Sequence, residues 1–385
     1  MISAGAFWQA ARAAGFGLTT GVPCSYLTPL IDHVIDASAR GGDRYVGAAD
    51  EGSAVAIASG AEVGGRRAIV LMQSSGLGNA VSPLTSLSAV LEIPALLVVT
   101  LRGEPGGPPD EPQHALMGAI TRDLLATMRV PSEPFPSEDA AIDGVLARGT
   151  RHMDAAHTPY ALVMTKGAVQ EGPPSQPEPA RPVPAPLEPA RWPQARPSRR
   201  AMLAAVRTAA TPSDVLVATT GHTGRELYAL GDAPNQLYLV GAMGCASSFA
   251  LGLALAAPWC RVLVLDGDGA ALMHLGALAT LGHERPDNLV HVLLDNEVHD
   301  STGGQATASG GVDFAQIARA CSYPRVARAT SAAELGQLVS SDARELTFVH
   351  AKIRPGADGA LPRPTIAPRD VAERLRGFVR SRRPT

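Results

Sequence analysis

The stretch "RVLVLDGDGAALMHLG", Arg261 to Gly276, runs a branched apolar strand into an acid caught between glycines and then into an apolar segment with helical spacing. A second apolar run, "NLVHVLLDN", ends on Asp295 and Asn296. Strand, glycine turn, helix and strand in that order form a right-handed βαβ crossover, which places both strands' carboxyl ends on one edge of a parallel sheet. Asp268 and Asn296 therefore belong at the same edge, 28 positions apart in the chain.

Working outward, the same frame occurs twice. A shift of 194 positions carries Gly47 onto Gly241, Arg67 onto Arg261, the strand "AIVLM" onto "VLVLD" and Ser75 onto Gly269. Each copy reads as glycine turn, small-residue helix, basic residue, buried strand and polar loop. The chemistry differs between them. Glu51 opens the helix of the first copy where the second has Cys245, and Asp268 stands in the second where the first has Ser74. Between the copies, "EGPPSQPEPARPVPAPLEPARWPQARP" is too rich in proline for helix interiors or sheet ladders. The expectation is an α/β protein of two similar domains, each a parallel sheet flanked by helices: residues 1–170, a linker over 171–197, and 198–385, with no middle domain.

Composition narrows the ligand. The 385 residues carry a formal net charge of −3 and a pI near 6.4, with no basic block or aromatic-interleaved basic stripe, which excludes a nucleic-acid footprint. Cys24, Cys245, Cys260 and Cys321 are scattered without a CxxC pair, as suits reduced thiols packed in a cytoplasmic protein. The amino-terminal segment lacks the basic-then-apolar order of a signal peptide. The uncharged run Val240–Cys260 is long enough to mimic a membrane span, but its glycines, serines and Pro258 read as a buried helix. The expected partner is a small molecule, with no nucleic acid and no membrane.

At the sheet edge, a carboxylate from Asp268, an amide oxygen from Asn296 and a backbone carbonyl from the following turn make a hard oxygen site suited to Mg²⁺, completed by phosphate oxygens and water. The glycines beside Asp268 let backbone N–H groups approach a diphosphate at the start of the next helix. "GDG" alone is an ordinary turn; the strand before it, the helix after it and the Asn closing the next strand give it meaning.

In that context "GDG…DN" resembles the cofactor motif of thiamine-diphosphate enzymes. The resemblance puts Asp268, Asn296 and the Val298 carbonyl at the metal-ligand positions, and Gly267, Gly269 and Ala270 against the diphosphate. It makes Glu51, in "AADEGSAVAIASG", the catalytic acid that hydrogen-bonds the aminopyrimidine ring and favours its imino tautomer. In "LVGAMGCASS", Met243 matches the wedge beneath the bent cofactor, with the Gly241 carbonyl and Gly244 beside it. Gly221 and His222, in "TTGHTGREL", are further diphosphate contacts.

Within these enzymes the chain resembles the phosphonopyruvate decarboxylase family, with sulfopyruvate decarboxylase nearest, almost from end to end. The segments that carry the likeness are "GVPCSYLTPLID", "QSSGLGNAVSPLTSL", "LRGEPGGPPDEPQHALMG", "LDNEVHDSTGGQ" and "AKIRPGADGALPRPT". The resemblance implies non-oxidative decarboxylation of 3-phosphonopyruvate to phosphonoacetaldehyde and CO₂ in phosphonate biosynthesis, and a homodimer or higher homo-oligomer with interfacial active sites. For the phosphonate it offers Ser25, Arg102, Gln113, His114 and Thr302, while His299, Asp300 and Thr302 stand open as proton handlers. Sulfopyruvate decarboxylase, another 2-keto-acid decarboxylase and a catalytically silent cofactor-binding subunit are the competing readings.

Overall fold

A computed structural model describes residues 1–176, 181–341 and 343–384. The chain divides into two compact units, residues 1–62 with 66–179, and residues 63–65 with 180–385.

The first unit is a six-stranded, all-parallel sheet. Its strands are β1 (Phe16–Gly21), β2 (Arg44–Gly47), β3 (Arg67–Gln73), β4 (Leu96–Thr100), β5 (Ser132–Pro134) and β6 (Tyr160–Met164), in the order β2-β1-β3-β4-β6-β5. Residues such as Ile69, Val70, Leu71, Leu97 and Val98 are wholly buried, because helices cover both faces of a parallel sheet and leave no side of the strand for water. Each such side chain contributes about 1.5–3 kcal/mol of hydrophobic stabilisation.

The second unit repeats this plan. Its main strands are β7 (Val215–Ala218), β8 (Gln236–Tyr238), β9 (Val262–Gly267), β10 (Leu289–Asp295), β13 (Arg325–Arg328) and β14 (Thr347–Lys352), in the order β13-β14-β10-β9-β7-β8. A small antiparallel pair, β11 (Val298–His299) and β12 (Gln305–Ala306), sits between β10 and β13 in the chain. Read from its other end, the second order matches the first strand for strand, with β3 opposite β9 and β4 opposite β10. The repeat read from the sequence is thus a repeat of topology. The helix Glu51–Val63 of the first unit answers to Ala246–Ala256 of the second. The latter is buried at every position but one, so the apolar run containing it is sheet-covering core. Among the described residues no helix is long and apolar enough to cross a membrane.

Among the described residues of 171–197 there is neither helix nor strand. Several of them lie along the second unit through backbone contacts: Arg319 Nε donates to the Ala185 carbonyl at 2.9 Å, Arg328 Nη1 to that of Glu188 at 2.9 Å, and Trp192 meets the His350 ring edge-on at 4.9 Å. The four cysteines are free thiols, three of them buried.

Candidate active site

Parallel topology brings the loops after β1, β2, β3 and β4 to one edge of the first unit. Glu51 begins the helix that follows β2, but it does not cap it. The neighbouring Asp50 does, accepting from the Ser53 backbone N–H at 2.9 Å and from its hydroxyl at 2.6 Å. Glu51 is 8% exposed, and its carboxylate accepts from Asn79 Nδ2 at 2.8 Å. The turn Ser74–Gly76 after β3 leaves no room for a side chain at Gly76, since a Cβ there would overlap the Glu51 carboxylate. A short turn from one loop therefore fixes where the acid from another can lie.

Around it runs a polar cluster. Ser75 Oγ is 3.2 Å from Nδ1 of the buried His114. Cys24 Sγ donates to Gln73 Oε1 at 3.3 Å and lies 3.5 Å from Thr100 Oγ1. Arg102 grips Asp110 through two nitrogens, at 2.6 and 2.5 Å, donates to Ser25 Oγ at 3.2 Å and stacks over the Tyr26 ring at 4.8 Å. The Arg102 guanidinium holds the Asp110 carboxyl far below the usual carboxylate range. The charge of Arg102 is thus already matched within its own loop. Gln113 is exposed and donates to Glu111.

In the second unit a cleft opens at the carboxyl edge, walled by Thr219–Thr223, Met243, Gly267–Ala270, Asn296 and Val298–Ser301. Nine of the sequence-predicted positions meet on this wall: Gly221, His222, Met243, Gly267, Asp268, Gly269 and Ala270, with Asn296 and Val298 closing it. Gly269 is required by its neighbours, because a Cβ there would sit 2.6 Å from His299 Cε1. Gly241 and Gly244 flank Met243 without lining the cleft. Between them Ala242 takes a left-handed φ of 46°, a conformation that costs an alanine about 1–2 kcal/mol and sets the direction in which Met243 leaves the chain.

Asp268 is 2% exposed. Its Oδ2 accepts from Thr307 Oγ1 at 2.5 Å and from Ser309 Oγ at 3.0 Å, and the backbone N–H of Asn296 also points to its carboxylate. No cation pairs with it among the described residues. Burial, aided by the nearby Asp295 charge, pushes its pKa above the usual carboxylate value. Asp295 has the opposite fate. Burial works to raise its pKa too, but hydrogen bonds from His350 Nε2 (2.9 Å) and Lys352 Nζ (2.7 Å) carry it below. The Ser309 hydroxyl lies between the two carboxylates, 2.8 Å from Asp295 Oδ1.

Asn296 is oriented by its own neighbours. Its Nδ2 donates to Asp300 Oδ2 at 2.7 Å, and Asp300 is in turn held by Arg199 and by the Gly356 backbone N–H at 3.1 Å. With the amide nitrogen committed to Asp300, the amide oxygen accepts a long bond from the Val298 backbone N–H at 3.4 Å and keeps a second lone pair for the cleft. Glu297, at a left-handed φ of 65°, is held by Arg196 and Lys352, each at 2.7 Å, and turns the chain so that Val298 reaches the wall.

The wall fits a divalent cation bearing a diphosphate. A buried carboxylate without a counter-charge, an oriented amide oxygen and a backbone carbonyl supply hard oxygen ligands. Among the described residues no cluster of three or more His, Cys, Asp or Glu could hold a metal alone, and phosphate oxygens and water suit the positions such a site leaves open. Two polar atoms buried near the cleft wall, Thr219 Oγ1 and His222 Nδ1, have no hydrogen-bond partner among the described residues. Burial and the nearby Arg199 lower the His222 pKa, so its ring stands neutral at pH 7 with one N–H to give.

Thr302, one of the sequence-predicted residues, is not brought to this wall. Its hydroxyl turns to Gln305 Oε1 and to the His299 carbonyl, while the neighbouring Ser301 lines the cleft. Sequence reasoning also missed Thr307, Ser309, Arg199 and Asn79. Only Thr307 and Ser309 left a trace, as the hydroxyl pair of "ATASGG" one short strand beyond the Asn296 turn.

Residues 220–351 match the family model for the thiamine pyrophosphate enzyme C-terminal TPP binding domain, a span that begins at the first cleft loop and ends on the last central strand. The solved benzoylformate decarboxylase of Polynucleobacter necessarius aligns with a TM-score of 0.68 over 92% of this chain and 99% of its own. The 4-hydroxybenzoylformate decarboxylase of Rhodococcus jostii aligns with the same TM-score over 91% and 99%. At 14% identity these share the fold. Sequence relatives reach further. Phosphonopyruvate decarboxylase of Streptomyces viridochromogenes is 42% identical over 96% of this chain and 93% of its own length, and that of Streptomyces hygroscopicus is 42% identical over 96% and 92%. Sulfopyruvate decarboxylase of Methanosarcina acetivorans is 27% identical over 95% and 94%. A cleft suited to a metal-bound diphosphate, a matching cofactor-domain model and near end-to-end likeness converge: the chain is a thiamine-diphosphate-dependent decarboxylase and belongs to the phosphonopyruvate decarboxylase family.

Proposed function

We propose that the substrate is 3-phosphonopyruvate and that the reaction is its decarboxylation to phosphonoacetaldehyde, as a step in phosphonate biosynthesis, with Mg²⁺ as the metal. The bond to the carboxylate carbon breaks, CO₂ leaves, and a proton takes its place on the former keto carbon, so atoms and charge balance. The observation that carries this reading is that likeness to two phosphonopyruvate decarboxylases runs at 42% identity over nearly the whole chain, whereas the equally long sulfopyruvate decarboxylase stands at 27%.

In this reading Asp268, the Asn296 amide oxygen and the Val298 carbonyl hold Mg²⁺, and the loops at Gly221–His222 and Gly267–Ala270 receive the diphosphate. Bound thiamine diphosphate supplies the electron sink for the carbon that loses CO₂. Glu51 holds a proton at the aminopyrimidine ring nitrogen, kept in place by Asn79 and by the bare backbone of Gly76. Met243, on the cleft wall between Gly241 and Gly244, would pack against the cofactor. Ser25, Gln113 and His114 orient the substrate with Arg102, whose guanidinium shares its bonds with Asp110. Thr302 comes to the substrate only if its turn rearranges.

The test is turnover. The kcat/KM for phosphonopyruvate is expected to exceed that for sulfopyruvate and for pyruvate at least tenfold. Phosphonate and sulfonate are near-isosteres that differ mainly in charge, so equal or better use of sulfopyruvate would reject the assignment.

The assembly proposed with this function is a homodimer at least, in which the first unit of one chain and the second unit of another serve one cofactor. Light scattering under assay conditions is expected to give a mass of two chains or more. Full activity in a monomeric fraction would refute it.

A further inference from the structure

The cofactor cleft of the second unit borders a larger hollow: Thr220, Gly221 and Ser301 line both. The rest of the hollow is walled by Leu239, Val240 and Ile366 together with two arginines, Arg225 and Arg363. Arg225, half-buried, stands in the first turns of the helix His222–Ala229. Arg363 comes from the extended arm that leaves β14.

That arm is tied down on both sides of the hollow. The Gly356 backbone N–H donates to Asp300, and the Thr365 hydroxyl lies 2.9 Å from the Tyr228 hydroxyl on the helix that carries Arg225. Beyond it, the closing helix Pro368–Ser381 is anchored by Arg374, which bonds Asp232 through two nitrogens at 2.6 and 2.8 Å. The arm is thus a built part of the hollow's wall.

The other candidate arginines are spoken for. Arg102 of the first unit has Asp110, and Arg199 on the cleft wall has Glu226 and Asp300. Arg225 and Arg363 have no carboxylate partner among the described residues, and no acid lines the hollow. Two guanidinium groups without carboxylate partners on one recess of mixed polar and apolar wall, Arg225 half-buried and Arg363 exposed, attract a compact anion, above all a tetrahedral oxyanion that accepts paired N–H bonds. The geometry points to Arg225 and Arg363 as the subsite for the phosphonate of the substrate, the selectivity element that Arg102 alone does not provide. This rests on the proposed phosphonate substrate.

The experiment uses the thiamine-diphosphate- and Mg²⁺-loaded enzyme with Arg225→Ala, Arg363→Ala and the two Arg→Lys variants. Turnover is compared for phosphonopyruvate and for pyruvate, which lacks the phosphonate. Calorimetry follows binding of phosphonoacetate, a non-reacting analogue that keeps it. In each alanine variant the phosphonopyruvate-to-pyruvate ratio of kcat/KM is expected to fall at least tenfold, mainly through KM. Phosphonoacetate affinity should fall with it, and lysine should restore part of both. Equal losses on the two substrates, or unaltered phosphonoacetate affinity, would overturn the subsite. Should the wild-type enzyme prefer a keto acid without a phosphonate, the substrate proposal fails. The titration then decides the subsite by itself: affinity lost in the variants upholds a tetrahedral-anion site, and affinity retained overturns it.

Discussion

Glu51→Gln is expected to lower kcat by about 10²–10⁴, the usual worth of a positioned acid–base group, corresponding to about 3–5 kcal/mol of transition-state stabilisation. Cofactor affinity should remain within a few-fold of wild type. The reasoning starts from what holds the side chain. Asp50 caps the helix, so Glu51 is released from that structural duty. Asn79 Nδ2 donates to its Oε2 at 2.8 Å, and the Gly76 backbone packs against the other oxygen. Glutamine fills the same space and its amide oxygen can still accept from Asn79, which preserves the fold. It cannot exchange a proton with a ring nitrogen. Stopped-flow turnover with calorimetry of thiamine diphosphate binding separates the two effects. A variant that works near the wild-type rate would remove Glu51 from the chemistry. One that unfolds, or loses the cofactor in parallel with activity, would make it a structural residue.

Much of this site is legible in the sequence because its parts are local. A strand, a glycine turn and a helix constrain one another within a few residues, so "GDG" and "DN" could be assigned to one sheet edge by topology alone. The repeat at a fixed spacing set Glu51 against Cys245, while its proposed role came from the family resemblance; the two sheets carry the repeat through all six main strands. What stayed hidden depends on side chains meeting across the fold. Ser309 reaches Asp268 from 41 positions away, and Arg199 reaches Asp300 from 101; neither distance leaves a periodic signal. Arg102 reads as an available cation until Asp110, eight residues on, closes over it. The choice between Ser301 and Thr302 turns on the pitch of a single 3₁₀ turn, which aims adjacent hydroxyls in different directions. Composition and spacing carry no information about that angle.

Asp268→Ala is expected to weaken Mg²⁺-dependent thiamine diphosphate binding by a hundredfold or more, about 2.7 kcal/mol on the affinity scale, and to abolish turnover at ordinary cofactor concentrations. Asp268→Asn carries the sharper consequence, because two readouts should move in opposite directions. The carboxylate is 2% exposed, shares Ser309 with a second carboxylate, and meets no cation among the described residues. Keeping such a charge buried destabilises the cofactor-free protein. An asparagine oxygen still accepts from Thr307 and Ser309, so the neutral variant should melt at or above the wild-type temperature when the cofactor is absent. In the presence of Mg²⁺ and thiamine diphosphate the order should reverse. Wild type gains stability from the ligand as RT ln(1 + [L]/Kd), and the variant, with its larger Kd, gains little. Differential scanning calorimetry of both proteins, with and without ligand, reads the two effects directly. If the asparagine variant is stabilised by the ligand as much as wild type, the negative charge at Asp268 is not what grips the metal. If it melts well below wild type without ligand, the carboxylate is part of the fold's own hydrogen-bond network first, and its position on the cleft wall is secondary.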